Sequence, residues 1–152
     1  MSVPAEVSLE AVQQDLAEVA PFMTAAGLSF DTGSLSAENL RLQVTFHNRA
    51  GERFFAEFDC REYPLFPPTI EFTDEARQAR GQPRLYPNVF HTTPCVCTRY
   101  NRKAYSELGG PHNNWRLIDW RLPTDGGGPI TTLGLMISDL HSKILGASGR
   151  MG

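Results

Sequence analysis

Apolar positions along the chain form two helical stripes that bracket a stretch of strict alternation. Leu9, Val12, Leu16 and Val19 recur at helical spacing behind Ser8, which can cap the helix with Glu10 in its first turn; Pro21 is expected to end it. Gly27 to Asn39 is rich in Gly, Ser and Thr and offers only Leu28, Phe30 and Leu35 for burial, so a short strand or loop is expected there. From Leu40 the period changes to two: Leu40, Leu42, Val44 and Phe46 alternate with Arg41, Gln43 and Thr45, as a strand with one buried face requires. Asn48 to Gly51 supply turn chemistry. The next strand puts Phe54, Ala56, Phe58 and Cys60 on one side and Phe55, Glu57 and Asp59 on the other, which makes an antiparallel hairpin.

Tyr63-Pro64 and Pro67-Pro68 cannot donate to a ladder, so the chain must loop before Ile70 and Phe72 start a third strand. Asp74 to Arg84 reads as a charged, solvent-facing segment, either a surface insertion or one helical turn. Leu133, Met136, Ile137, Leu140 and Ile144 form the closing stripe, with Thr131 or Thr132 as cap and Gly146 as stop, and Gly149 to Gly152 are expected to fray. Helix, three or four meandering strands, a long irregular region and a helix make an α+β domain spanning residues 1–152, with no internal repeat.

Composition narrows the functional classes. A chain of 152 residues, 41% hydrophobic, is long enough for one real core. A net charge of -3 and the lack of any long Lys or Arg run argue against nucleic acid as a partner. No apolar run approaches the roughly 20 residues that cross a bilayer, so no membrane association is expected. The N-terminus lacks the basic-then-apolar order of a signal peptide, and a cytoplasmic location is the expectation. Three cysteines, two of them one residue apart, do not read as a secreted disulfide framework; reduced thiols do. Cys60 continues the apolar face of its strand as a small hydrophobe.

The candidate chemistry lies between Glu62 and Thr98. A Tyr-Pro and a Pro-Pro lead into a strand, Pro87-Asn88 makes a rigid turn, and Cys95 and Cys97 follow seven and nine residues beyond Asn88. The run YPLFPPTIEF, then YPN, then Val96-Cys97, then PITTLGLMISDL, resembles the ubiquitin-conjugating enzyme family over roughly Leu40 to Leu145, and more faintly through the first helix. The resemblance implies a UBC-like fold. It implies an enzyme that takes the C-terminal acyl group of a ubiquitin-like modifier from an activating enzyme onto a cysteine, then yields it to an amine of a protein substrate.

Cys97, in the family's aliphatic-Cys frame, is the implied nucleophile. Cys95 follows Pro94 and stays open as the alternative, because the family's usual spacing from its Asn falls between the two. Asn88 matches the Asn whose amide supports the oxyanion or the site loop; it could equally cap the turn after Pro87. Tyr86 replaces the family's His. The activating enzyme is engaged in the family partly through the first helix, and no cofactor is implied.

Thr98 to Gly128 is longer than in a typical member and carries Arg99, Arg102, Lys103, Trp115, Trp120 and a triple glycine, Gly126 to Gly128. Trp115, or Trp120 with Pro123, can stand in for the family's Trp, or each can be a core or lid aromatic. Asp119 or Asp125 can orient an incoming lysine, or be solvated loop acids. These departures resemble the divergent conjugating enzymes of bacterial ubiquitin-like modification operons, some of which serve antiphage defence. Two other classes stay open: a catalytically inactive UBC-like binding or scaffold module, and a metal site built from Cys95, Cys97, His91 and His112.

Overall fold

The apolar periods are realised as two helices laid on one face of a four-stranded meander. The computed structural model describes residues 2–122 and 128–152, so Pro123, Asp125, Gly126 and Gly127 lie outside the described residues. In chain order the elements are α1 (Ala5–Ala26), β1 (Ser29–Asp31), β2 (Arg41–His47), β3 (Arg53–Asp59), β4 (Thr69–Thr73) and α2 (Leu133–Leu145), with short 3₁₀ turns between β4 and α2. The strands pair antiparallel in sequence order. Leu42 faces Phe58, Val44 faces Ala56 and Phe46 faces Phe54, and Ala56 and Phe58 pair in turn with Phe72 and Ile70. This face packs on the buried stripes of α1 and α2 to form the core. Among the described residues, no helix is long and apolar enough to cross a membrane.

Two features of α1 differ from the sequence reading. Ser8 does not cap the helix, which starts after Pro4; it is fully buried in the stripe of Val12, Leu16, Val19 and Met23, and its hydroxyl donates to the Tyr63 carbonyl at 2.6 Å. Pro21 does not end it either. Its missing N–H would have bonded the Ala17 carbonyl, but both residues are exposed, so the lost bond lies on the solvent side of the helix, where it costs least. The helix stops one turn later at Gly27, whose left-handed backbone (φ 72°) lets the Leu28 N–H fold back on the Met23 carbonyl. Thr132 caps α2, its hydroxyl accepting the Leu135 N–H. Asp15 of α1 receives the Tyr63 hydroxyl and the Leu133 N–H, so one carboxylate joins both helices to the proline-rich segment.

The second face of the sheet is not open. Phe55 and Glu57 are both buried, because residues 74–81, which are solvent-facing as expected on their outer side, curl back over it. Arg80 reaches Glu57 at 2.6 Å and Glu71 at 3.3 Å. The terminal segment does not fray: Met151 is buried, its N–H donates to the Tyr86 carbonyl, and Arg150 reaches the Leu85 carbonyl and Glu52.

The irregular region is fastened to the sheet by Asn101, which is fully buried. Its carboxamide accepts the Ile70 N–H at 2.8 Å and donates to the carbonyls of Ile70 (3.2 Å) and Val96 (2.9 Å). Asn101 thereby completes the outer edge of β4 as a neighbouring strand would. Leaving one buried polar group unsatisfied costs about 1–3 kcal/mol, and Asn101→Ala strands three of them. The variant is expected to lose about 4 kcal/mol of stability, read as a lower urea midpoint at unchanged slope.

Candidate active site around Cys97

The three thiols occupy different environments, and all are free. Cys60 is sealed under the sheet, where burial and the carboxylates of Asp59 and Asp15 push its thiol far up. Cys95 is 6% exposed, and burial together with the adjacent Cys97 thiol pushes it up to about 12. Cys97 is half-buried. Between the last two, Val96 is fully buried and held by Asn101, so the cysteines flank an anchored residue.

They open on different clefts. Cys97 lines a cleft of about 400 Å³ between the segment that follows it, the loop carrying Trp115 and Trp120, and α2. Cys95 lines a smaller one, about 270 Å³, with Tyr86, Asn101 and Lys103.

Around Cys97 the side chains interlock. The Arg99 guanidinium lies 4.8 Å from the ring of Trp115, which stacks on His112 on a 3.7 Å centroid separation. The Trp120 indole N–H donates to the Leu65 carbonyl at 2.9 Å, pinning this wall to the proline-rich segment. The Tyr100 hydroxyl donates to Asp139 Oδ2 at 2.7 Å, and Lys143 Nζ donates to the same oxygen at 2.7 Å. Burial and this carboxylate hold the Tyr100 phenol well above its ordinary range. Among the described residues the acid lining the cleft is therefore Asp139, which the sequence pattern shows only as part of an ordinary helix. Asp119 lies beside Arg116 at 3.9 Å and does not line the cleft.

Asn88 is exposed at the turn where it was expected, and its amide serves the C-terminal segment. Nδ2 donates to Ser148 Oγ at 2.7 Å, Oδ1 accepts the Ser148 N–H at 3.1 Å, and the Asn88 N–H donates to the Gly149 carbonyl at 2.9 Å. Asn88 does not line either cysteine cleft. Tyr86 is buried against Phe72, ring centroids 5.0 Å apart, in a packing role. Among the described residues no three His, Cys, Asp or Glu side chains are placed to hold a metal ion, so Cys95, Cys97, His91 and His112 are not gathered as a ligand set.

With a thiol reagent at pH 8 the folded protein is expected to react at Cys97 alone, and at all three cysteines once denatured; mass mapping of the labels checks this. Folding also sets an alkaline limit. The thiol of Cys95 ionises near 9 when unfolded but near 12 when folded, so its contribution is complete below pH 9 and is lost as pH rises between those values. Tyr86 and Tyr105, both pushed up to about 12 chiefly by burial, act in the same sense above pH 10. Urea unfolding is therefore expected to show stability falling above pH 9, less steeply in Cys95→Ala. The chain matches no protein-family model, no curated protein and no solved structure.

Proposed function

We propose that this protein is a ubiquitin-like-protein conjugating enzyme that carries its modifier as a thioester on Cys97. The observation that carries the reading is the placement of that thiol: half-buried, beside a fixed backbone, on a cleft with two cations and one carboxylate among its described lining side chains. Of the two adjacent cysteines, Cys97 is the more exposed and lines the roomier cleft, while Cys95 is buried at 6% exposure.

In the first step Cys97 sulfur attacks the activated C-terminal carbonyl of the modifier; the C–S bond forms and the activating enzyme's thiolate leaves. In the second, an amine of the protein substrate attacks the thioester carbonyl. The C–N bond forms, the C–S bond breaks with its electron pair returning to Cys97, and one amine proton passes to solvent. Asn88 enters as the residue that fixes the turn and the terminal segment, its amide being given to Ser148. Apolar surface for protein partners is present beside the Trp120 wall, where Leu65, Ile118 and Leu122 are exposed. The resemblance to bacterial modification operons extends the proposal to a cytoplasmic role in antiviral defence.

Incubation with the activating enzyme, the modifier and ATP is expected to give an adduct on Cys97 that dithiothreitol removes. Cys97→Ser should give an adduct that resists thiol but yields to alkali, Cys97→Ala none, and Cys95→Ala a normal one. An adduct undiminished in Cys97→Ala would overturn the assignment.

A further inference from the structure

A thioester carrier needs a donor for the oxygen that becomes negative when its carbonyl is attacked, and Asn88 is not available at the cleft in this arrangement. We infer that the ammonium of Lys143 is that donor, held over the Cys97 cleft by Asp139. This rests on the reading of Cys97 as the acyl carrier.

Several observations converge. Lys143 lines the same cleft as Cys97. Its ammonium is registered rather than free, because Asp139 Oδ2 accepts both Lys143 Nζ and the Tyr100 hydroxyl, each at 2.7 Å. Tyr100 is three residues beyond Cys97 and buried, so the cation is fixed relative to the thiol-bearing segment and not only to its own helix.

The sequence also has just two lysines, Lys103 and Lys143, among its 14 cationic side chains. Lysine amines next to a thioester are acceptors that would discharge it, whereas arginine is not, and the lysine at this cleft is bound to a carboxylate. The other cation lining the cleft, Arg99, is laid over Trp115. Among the described residues lining it Asp139 is the one carboxylate, and with Tyr100 and Lys143 on the same oxygen its charge is already shared. The described lining residues, Arg99 and Lys143 against Asp139, sum to a positive charge, as an oxyanion requires.

The test separates attack that creates an oxyanion from attack that does not, and it needs neither modifier nor activating enzyme. p-Nitrophenyl acetate acylates Cys97 through a tetrahedral intermediate: sulfur bonds to the carbonyl carbon, the oxygen takes the negative charge, and collapse expels nitrophenolate. Iodoacetamide alkylates the same sulfur by displacing iodide, with no oxyanion. In Lys143→Gln acylation is expected to fall by about tenfold or more while alkylation stays within about twofold, and Lys143→Arg should recover most of the acylation.

An unchanged acylation rate in Lys143→Gln overturns the inference, and so does a parallel fall in both rates, which would mark a merely structural role. A hydroxylamine-resistant acetyl group appearing on Lys143 in the wild type overturns it as well, by making the lysine an acceptor. Failure to load a modifier, with the acylation and alkylation rates still separated by Lys143, would instead count against the proposed function alone.

Discussion

One buried carboxamide decides how the two halves of this chain meet. β4 is the edge of the sheet, and an edge leaves N–H and C=O groups in need of partners. At Ile70 those partners are the two ends of the Asn101 side chain, which reaches Val96 with its remaining hydrogen. A single residue thus does what a fifth strand would do and leaves the chain on either side of it irregular. That freedom allows the Cys95 and Cys97 side chains to leave a buried Val96 toward separate clefts, where a paired strand would fix them by its own pleat.

The same edge is reinforced by charge. Glu57 and Glu71 face each other across β3 and β4, an arrangement that repulsion would ordinarily disfavour. Arg80 binds both, and Lys103, two residues beyond Asn101, pairs with Glu71 at 2.5 Å. Glu57 is 4% exposed, so its charge is tolerable only because the arginine meets it with two nitrogens. Residues 74–81 are therefore the cover of the sheet's outer face, and their charges are the reason they stay there.

Both helices, the hairpin and the third strand were legible from period alone, since a stripe states which face is buried. What a stripe does not state is the partner that a polar side chain finds. Ser8 falls in register with Val12 and Leu16, and as a buried donor to Tyr63 it serves α1 better than it would as a cap. Pro21 looked like a stop because local chemistry says so, yet an exposed carbonyl makes the missing bond cheap. Asn101, Asp139 and the tail from Ser148 to Met151 were illegible for one reason: their roles are set by groups far along the chain, as when Asn88 meets Ser148 across 60 residues. The order of turn, thiol and helix could be read in advance; which thiol reaches the surface could not, because Cys95 and Cys97 differ only in what covers them.

Two neighbouring residues complete that placement. Asn101 ties its segment to the sheet, and Tyr100 ties the same segment to α2 through Asp139. With one anchor on each layer of the fold, the segment starting at Cys97 can neither slide along β4 nor lift from the helix without breaking a hydrogen bond. On the proposed chemistry this rigidity is the useful property. A thiol free to swing would lose its register with the ammonium of Lys143, while one fixed at the junction of sheet and helix meets each incoming carbonyl in the same geometry.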